Sequence, residues 1–181
     1  MENIELLKNH VSNHNLIKHS LAVKAIMEGL AEHFGEDEEK WGTAGLLHDI
    51  DYEKTKDNPR EHSLVGAKIL EELGFDKEIC EAVKAHNEAH GIAPETLMAK
   101  SLYVCDPLTG LIVAATLVLP SKKLVDLTSE NILNRFGEKA FARGVNREII
   151  KKCEQYLNMP LEEFISVGLK AMQKIYNELG L

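Results

Sequence analysis

Thiols are scarce in this chain of 181 residues, and they are poorly placed for pairing. Its three cysteines, Cys80, Cys105 and Cys153, lie far apart, form no CxxC pair and are odd in number. These features argue against a disulfide framework and against a thiolate zinc site. They favour a reducing compartment, so we expect a cytoplasmic location.

Long apolar runs and a basic N-terminal region are also lacking. The most apolar stretch, residues 111–119, is far shorter than the roughly 20 residues that a helix needs to span a bilayer. The opening Met-Glu-Asn-Ile-Glu has no positive charge of the kind that begins a secretory signal. We therefore expect neither export nor a membrane partner.

Positive charge is in deficit. The chain has 21 Lys and Arg against 29 Asp and Glu, a formal net charge of −8, and residues 1–90 carry the deficit. A net acidic chain is not typical of a nucleic-acid binder, so we expect no nucleic-acid polymer as a partner. The acidic half is either a solvated surface or a region whose charge a bound metal offsets.

Alternating patterns of the strand type are nearly absent, whereas apolar residues recur at helical spacing almost throughout. We therefore predict an all-α fold in a single domain, residues 1–181. The predicted helices cover residues 3–12, 15–34, 37–48, 61–73, 76–90, 95–119 with a break near Pro107, 129–143, 146–156 and 160–179. The polar stretch from Ile50 to Arg60 is long and irregular, which makes it a candidate active-site loop.

Four predicted helices each direct one histidine toward the apolar face: His19, His48, His62 and His86. A single inward histidine is most simply a hydrogen-bonded core residue. Four of them need partners, and one shared metal site would satisfy all four, because imidazole is a common metal ligand. Four coincidentally buried histidines remain the alternative interpretation.

Two carboxylates fit the same picture. Asp49 follows His48 at a helix end, where the helix dipole disfavours a negative charge unless a cation is near. Asp106 lies among apolar neighbours, and local pattern makes it equally a ligand or an N-cap before Pro107. Four imidazoles and two carboxylates suit Fe, Mn, Zn, Co or Ni, with Mg possible, and their number suits two metals better than one.

These residues carry a family resemblance. His19 in KHSLAV, His48 and Asp49 in GLLHDID, and Asp106 in YVCDPLTGL resemble the HD-domain superfamily of metal-dependent phosphohydrolases. The resemblance covers about residues 15–120, which would form an HD-like helical bundle, with additional C-terminal helices over about 121–181. The segments HSLVGAKIL and AVKAHNEAHG further resemble the HDIG-type subgroup, although Asp51 and Tyr52 replace its glycine and lysine.

The resemblance implies a site for each metal. Metal one would be held by His19, His48, Asp49 and Asp106, and metal two by the bridging Asp49 with His62 and His86. His48 and Asp49 would then be the catalytic pair, with Asp49 orienting a metal-activated hydroxide. A small phosphate ester, such as a nucleotide or related metabolite, is the expected substrate.

Other functions and contacts stay open at this stage. A di-iron oxygenase of the same fold and a non-catalytic domain that binds a nucleotide or metal are the alternative functions. Lys54 or Arg60 would meet the substrate in place of the missing lysine, and His90, four residues after His86, would lie on the same helical face. Asp51 and Glu53 are either solvated loop residues, or residues that support the ligands or act as a general acid.

Overall fold

The protein is described by a computed structural model that covers residues 3–181. Within that range the secondary structure is helical with no strand, which confirms the all-α prediction. The α-helices are α1 Asn3–His10, α2 His14–Phe34, α3 Glu38–Leu47, α4 Tyr52–Thr55, α5 Leu64–Glu72, α6 Lys77–Ala85, α7 Leu97–Leu117, α8 Ser129–Gly137, α9 Arg147–Lys151, α10 Cys153–Tyr156, α11 Leu161–Lys174 and α12 Tyr176–Leu179. Single 3-10 turns cover Glu88–His90 and Leu124–Asp126.

Side-chain caps explain where several helices begin. The Asn13 side chain accepts a hydrogen bond from the Asn15 amide at the start of α2, and Asp76 and Asn146 cap α6 and α9 in the same way. At the other end of α2, Gly35 takes a left-handed conformation, with φ of 72°. A residue with a side chain would be strained there, so this glycine stops the helix.

The long helices α2 and α7 form the centre of the fold. α2 packs against α3, α7 and α11, and it buries its apolar stripe completely at Val23, Ile26 and Leu30. α7 is long and apolar enough to cross a membrane by length and composition alone, yet 61% of its apolar window is buried within the protein. It therefore serves here as the core helix against which α2, α6 and α9 pack.

The predicted break near Pro107 is wrong, because α7 continues through this residue. Proline removes one backbone hydrogen bond from a helix, which costs stability. Here both flanks are anchored, since Val104 and Cys105 before it and Leu108 after it are fully buried. Tertiary packing thus outweighs the local cost, and Asp106 lies inside a helix rather than at its N-cap.

The segment after α8 also differs from the prediction, because the helix ends at Gly137 and residues 138–146 are irregular. The guanidinium of Arg147 holds this segment by donating hydrogen bonds to backbone carbonyls. Its five acceptors belong to Arg135, Phe136, Glu138, Phe141 and Ala142. The charged side chain of Arg147 is therefore committed to holding the backbone of this segment.

A close approach of α3 to α2 sets up the site described next. A Cβ at Gly45 would lie 2.9 Å from Lys24 Cα and 3.0 Å from Lys24 N, both backbone atoms of α2. We expect Gly45→Ala to push the helices apart and to lower the free energy of unfolding by about 1 to 3 kcal/mol. Urea unfolding measures this loss. Gly137→Ala is the control, because its Cβ would meet nothing within 4 Å, and equal stability of the two variants would contradict the prediction.

Candidate metal centre

The six residues predicted as metal ligands come from separate parts of the chain and meet at one place. His19 belongs to α2, His48 and Asp49 follow α3, His62 precedes α5, His86 follows α6, and Asp106 belongs to α7. Each lies within 4 Å of at least two of the others. The fold therefore brings together every residue of the predicted set.

Asp49 lies at the middle of this cluster, with one carboxylate oxygen facing each side. Its Oδ2 is 3.4 Å from His48 Nε2 and 3.6 Å from His19 Nε2. Its Oδ1 is 3.2 Å from His62 Nε2 and 3.4 Å from His86 Nε2. The carboxylate thus divides the four imidazoles into two pairs.

Asp106 completes the first of these pairs. Its Oδ1 lies 3.0 Å from His19 Nε2 and 3.8 Å from His48 Nε2. Ligand atoms of His19, His48 and Asp106 fall within 4.8 Å of one another, as do those of His48, Asp49 and His86. The two sets overlap at His48, as expected if neighbouring ions share one compact cluster.

The Nδ1 atom of each of the four histidines already has a hydrogen-bond partner outside the cluster. Nδ1 of His48 lies 2.8 Å from the Gly45 carbonyl oxygen, and Nδ1 of His86 lies 2.6 Å from the Val83 carbonyl oxygen. His19 Nδ1 is 3.1 Å from Thr109 Oγ1, which donates its own proton to the Asp106 carbonyl. These acceptors assign the proton to Nδ1, which leaves the Nε2 lone pairs directed at each other and at the carboxylates.

Such an arrangement fits divalent cations. In neutral imidazoles with Nδ1 protonated, the facing Nε2 atoms are all acceptors, so they cannot satisfy each other by hydrogen bonding. Buried acceptors without donors are costly, whereas nitrogen and carboxylate donors of this kind hold transition-metal ions. Backbone and side-chain acceptors behind the rings are the usual way to orient metal-binding histidines.

In the metal-free protein, protons take the place of the cations. Burial lowers the pKa of His48, but the adjacent Asp49 carboxylate outweighs this effect and raises the pKa to about 9. For His62, burial is likewise outweighed by Asp49 and Asp51, and its pKa is also raised to about 9. Burial would raise the pKa of Asp49, but His48 holds that pKa well below its usual range. In the metal-free cluster the Asp49 and Asp106 carboxylates are thus ionised, and the imidazoles of His48 and His62 are protonated.

These shifts predict how the metal-free protein responds to pH. A histidine whose pKa is raised by folding stabilises the fold fully below pH 6.5 and loses that contribution as pH rises toward 9. We expect the free energy of unfolding in EDTA to fall between pH 6.5 and 8.5, by up to about 1.4 kcal/mol per pH unit for each of two protons. Urea titrations at several pH values measure the slope.

The matched variants for this experiment are His62→Gln, which removes one of the two protons, and His33→Gln, which changes an exposed histidine. His62→Gln should flatten the slope, and His33→Gln should leave it as in the unmodified protein. A stability that does not change from pH 6.5 to 8.5 would contradict the assignment of protons to the cluster.

Asp51 is fully buried, and it contacts the cluster through the Nδ1 atom of His62. Its Oδ1 lies 3.0 Å from His62 Nδ1, and its Oδ2 accepts hydrogen bonds from the Ser63 and Gly66 amides at 2.9 and 2.8 Å. The structure thus favours the ligand-support interpretation of Asp51 over the solvated one. Ser63 has a φ of 71°, and this strained turn aims its amide at the carboxylate.

Asn87 lies just after the end of α6, and its side chain connects this helix end to the segment that carries His62. Its Nδ2 donates to the carbonyl oxygens of Pro59 and His62, while its Oδ1 accepts from the Ala89 amide. The predicted helix over 76–90 therefore ends early. His90 lies in a 3-10 turn rather than on the helical face of His86, and its Nε2 is 2.7 Å from Ser63 Oγ. Nothing in the sequence marks Asn87, because its hydrogen-bond partners are all backbone groups.

The remaining predicted residues lie outside the cluster. Lys54 and Arg60 are exposed on the segment between α3 and α5, and their predicted contact with substrate stays a prediction. Glu53 accepts hydrogen bonds from the Ser12 and Asn13 amides, so it anchors the chain where α2 begins. It supports His19 only through the position of that helix.

The centre is closed on one side and open on the other. The His48 side chain is fully buried, whereas those of His19 and Asp106 are 26% and 31% exposed. Both exposed ligands belong to the long helices α2 and α7. The exposed edge of the cluster therefore lies where these two helices meet.

Comparison with known proteins agrees with this geometry. A model of the HD domain family matches residues 16–111. Ribonuclease Y of Lawsonia intracellularis is 34% identical over 140 residues, and Ribonuclease Y of Nitratidesulfovibrio vulgaris strain DP4 is 35% identical over the same length. Each match covers 75% of this chain and 26% of the relative, so the chain spans about a quarter of the length of these curated relatives.

The names of these relatives correct one expectation. They are ribonucleases, and RNA is a nucleic-acid polymer, so the expectation of a small phosphorylated substrate and no nucleic-acid partner is wrong. The net charge was a poor guide to nucleic-acid binding because it sums charges over the whole surface. A chain with a charge of −8 can still bind an anion where cations and unpaired lysines lie together.

Proposed function

Because this chain belongs to the HD domain family, we propose that it is a metal-dependent hydrolase that cleaves phosphodiester bonds in RNA. The observation that carries the proposal is the Asp49 carboxylate, whose two oxygens each face two histidine Nε2 atoms within 3.6 Å. The ribonuclease relatives support RNA as the substrate class.

We infer two divalent ions, with Asp49 shared between them. His19, His48 and Asp106 would hold one, and His62 and His86 would hold the other. Bound there, such ions activate water near neutral pH and offset the charge on phosphoryl oxygens. The donor set suits Mn, Fe, Co, Ni or Zn, and an all-oxygen magnesium site would not need four imidazoles.

The side chains of the protein orient the metal ligands and the substrate. The four Nδ1 contacts fix ring orientation, so the inner nitrogens need no reorganisation when substrate arrives. In the metal-free protein His48 keeps the pKa of Asp49 low, so this carboxylate is already ionised when the ions bind. Asp106 and His19 lie at the open edge, and they therefore position the scissile phosphate relative to the buried half of the site.

The test is hydrolysis of a single-stranded oligoribonucleotide by protein loaded with each metal in turn. The reaction is run in ¹⁸O water under anaerobic conditions, and the products are weighed by mass spectrometry. We expect one ¹⁸O atom in the product phosphate. A 2′,3′-cyclic phosphate without ¹⁸O would contradict attack by water, and a requirement for oxygen would favour the oxygenase alternative.

The number of ions is tested separately by elemental analysis of untagged protein. We expect His86→Gln to lower the content from about two metal ions per chain to about one, because the His19, His48 and Asp106 set stays intact. His33→Gln, on the exposed surface of α2, is the matched control. One metal per chain in the unmodified protein would contradict the dinuclear proposal.

The cytoplasm remains the proposed location. All three cysteines are buried and unpaired. Burial raises the pKa of the Cys105 thiol well above its usual value, so this cysteine stays protonated and unreactive. Free thiols of this kind are common where the surroundings are reducing.

A further inference from the structure

A groove leads away from the open edge of the metal centre, between α2 and α7. It is a cavity of about 530 Å³ that begins at His19 and its partner Thr109. Its walls are formed by Lys18, Ala22, Val113, Leu117 and Leu179. Because a metal ligand forms one end of it, a molecule bound in the groove would be continuous with the reacting phosphate.

A second cavity lies beside the groove and shares two lining residues with it. It has a volume of about 360 Å³, and Lys123, Val125 and Tyr176 line it together with Gly180 and Leu181, which belong to both cavities. Gly180 has a φ of 70°, and a Cβ there would lie 2.9 Å from Lys18 Nζ. The glycine thus leaves room for the Lys18 ammonium at the junction of the two cavities.

We call the two cavities together the track. The charged side chains that line it are lysines, whereas the chain as a whole is acidic. Lys18 and Lys123 are exposed, and no ion pair of either is found within residues 3–181. By contrast, Lys24 on the same helix as Lys18 is paired with Glu28 at 2.8 Å. Lys18 lines the first cavity and Lys123 lines the second. Because neither is in an ion pair among the described residues, both charges are available to an anionic ligand.

Apolar side chains are exposed along the same track. Leu117 is 50% exposed, Val125 is 47% exposed and the residue Tyr176 is 37% exposed. An accessible aromatic ring beside unpaired cations is the combination that binds single-stranded nucleic acids, since bases stack on the ring and phosphates meet the cations. The bases of a duplex are already paired and stacked on each other, so they are not free to stack on such a ring.

We propose that the two cavities form the path of single-stranded RNA that flanks the scissile phosphodiester, with a base on Tyr176 and phosphates at Lys18 and Lys123. This inference rests on the proposed function and adds the strand form of the substrate and the residues that bind it. Nucleotides next to the cleaved bond occupy the first cavity, and those further along occupy the second.

The test compares two substrates in metal-loaded protein: bis(p-nitrophenyl) phosphate, which has no flanking nucleotides, and a single-stranded RNA of eight nucleotides. The measured quantity is the ratio of kcat/KM for the RNA to kcat/KM for the small diester. We expect Tyr176→Ala to lower this ratio about tenfold. We expect Lys18→Ala combined with Lys123→Ala to lower the slope of log KM against log salt by about 1.4.

Lys68→Ala is the control, because this lysine is exposed on α5, away from the track. Thermal unfolding checks that each variant is folded. Ratios and slopes that match the control would overturn the RNA path while leaving the proposed hydrolase intact. Equal cleavage of an eight-base-pair duplex would also overturn it. If the unmodified protein cleaves neither the small diester nor the RNA, the proposed function itself is refuted.

Discussion

Asp49→Asn is expected to abolish metal binding and to lower RNA hydrolysis at least about a thousandfold. The amide keeps the size of the side chain but replaces one of the two oxygens that face the histidine pairs with a donor. Loss of about 4 kcal/mol of charge stabilisation corresponds to a factor of about 10³ in rate. Turnover and elemental content measure the two effects.

A second readout separates metal loss from misfolding. Metal should raise the melting temperature of the unmodified protein, because it binds only the folded chain, and this rise should vanish in Asp49→Asn. Asp57→Asn removes the same charge from the exposed segment after α4 and should keep the rise. An Asp49→Asn protein that retains metal and turnover would refute the central position of this carboxylate.

Asp51→Asn is expected to combine a structural loss with a loss of metal affinity. Every group around the carboxylate is a donor: the Ser63 and Gly66 amides and the Nδ1 proton of His62. The new amide donor must therefore face another donor in either orientation. We expect a loss of about 2 to 3 kcal/mol in the free energy of unfolding and about 10 to 100-fold weaker metal binding.

Urea unfolding and competition with a metal chelator measure these two effects. Asp57→Asn is again the matched control, because its carboxylate is exposed. If Asp51→Asn weakened folding but left metal affinity unchanged, Asp51 would stabilise the loop without orienting His62. If neither quantity changed, its buried hydrogen bonds would have no energetic role.

The helices could be predicted where local pattern and packing agree. The apolar stripe of α2, bounded by Asn13 and Gly35, predicted that helix to within one residue at its N-terminal end. Local reasoning failed at Pro107, because the buried neighbours that keep α7 continuous belong to other helices. It failed again after Ala85, where the Asn87 side chain takes the place of further helical hydrogen bonds.

The sequence singled out the residues that meet in this cluster because inward histidines violate the apolar pattern of their helices. The residues that support these ligands could not be predicted, because the groups they contact lie elsewhere in the sequence. Asp51 lies in a charged stretch that reads as solvated, and only the packing of Gly66 beside it, with a Cβ position 3.2 Å from its Cγ, shows the burial. Thr109 likewise shows its role only once α7 crosses α2 at His19.

His62 differs from the other ligands in what holds its backbone. His19 and Asp106 belong to the interiors of long helices, whereas His62 follows an exposed segment, residues 56–61, and is secured through Asp51 and Asn87. Local opening of such a segment costs less than global unfolding. Of two ions bound in the cluster, the one beside His62 would then exchange with solution first, because the segment that carries this residue opens more easily than the long helices.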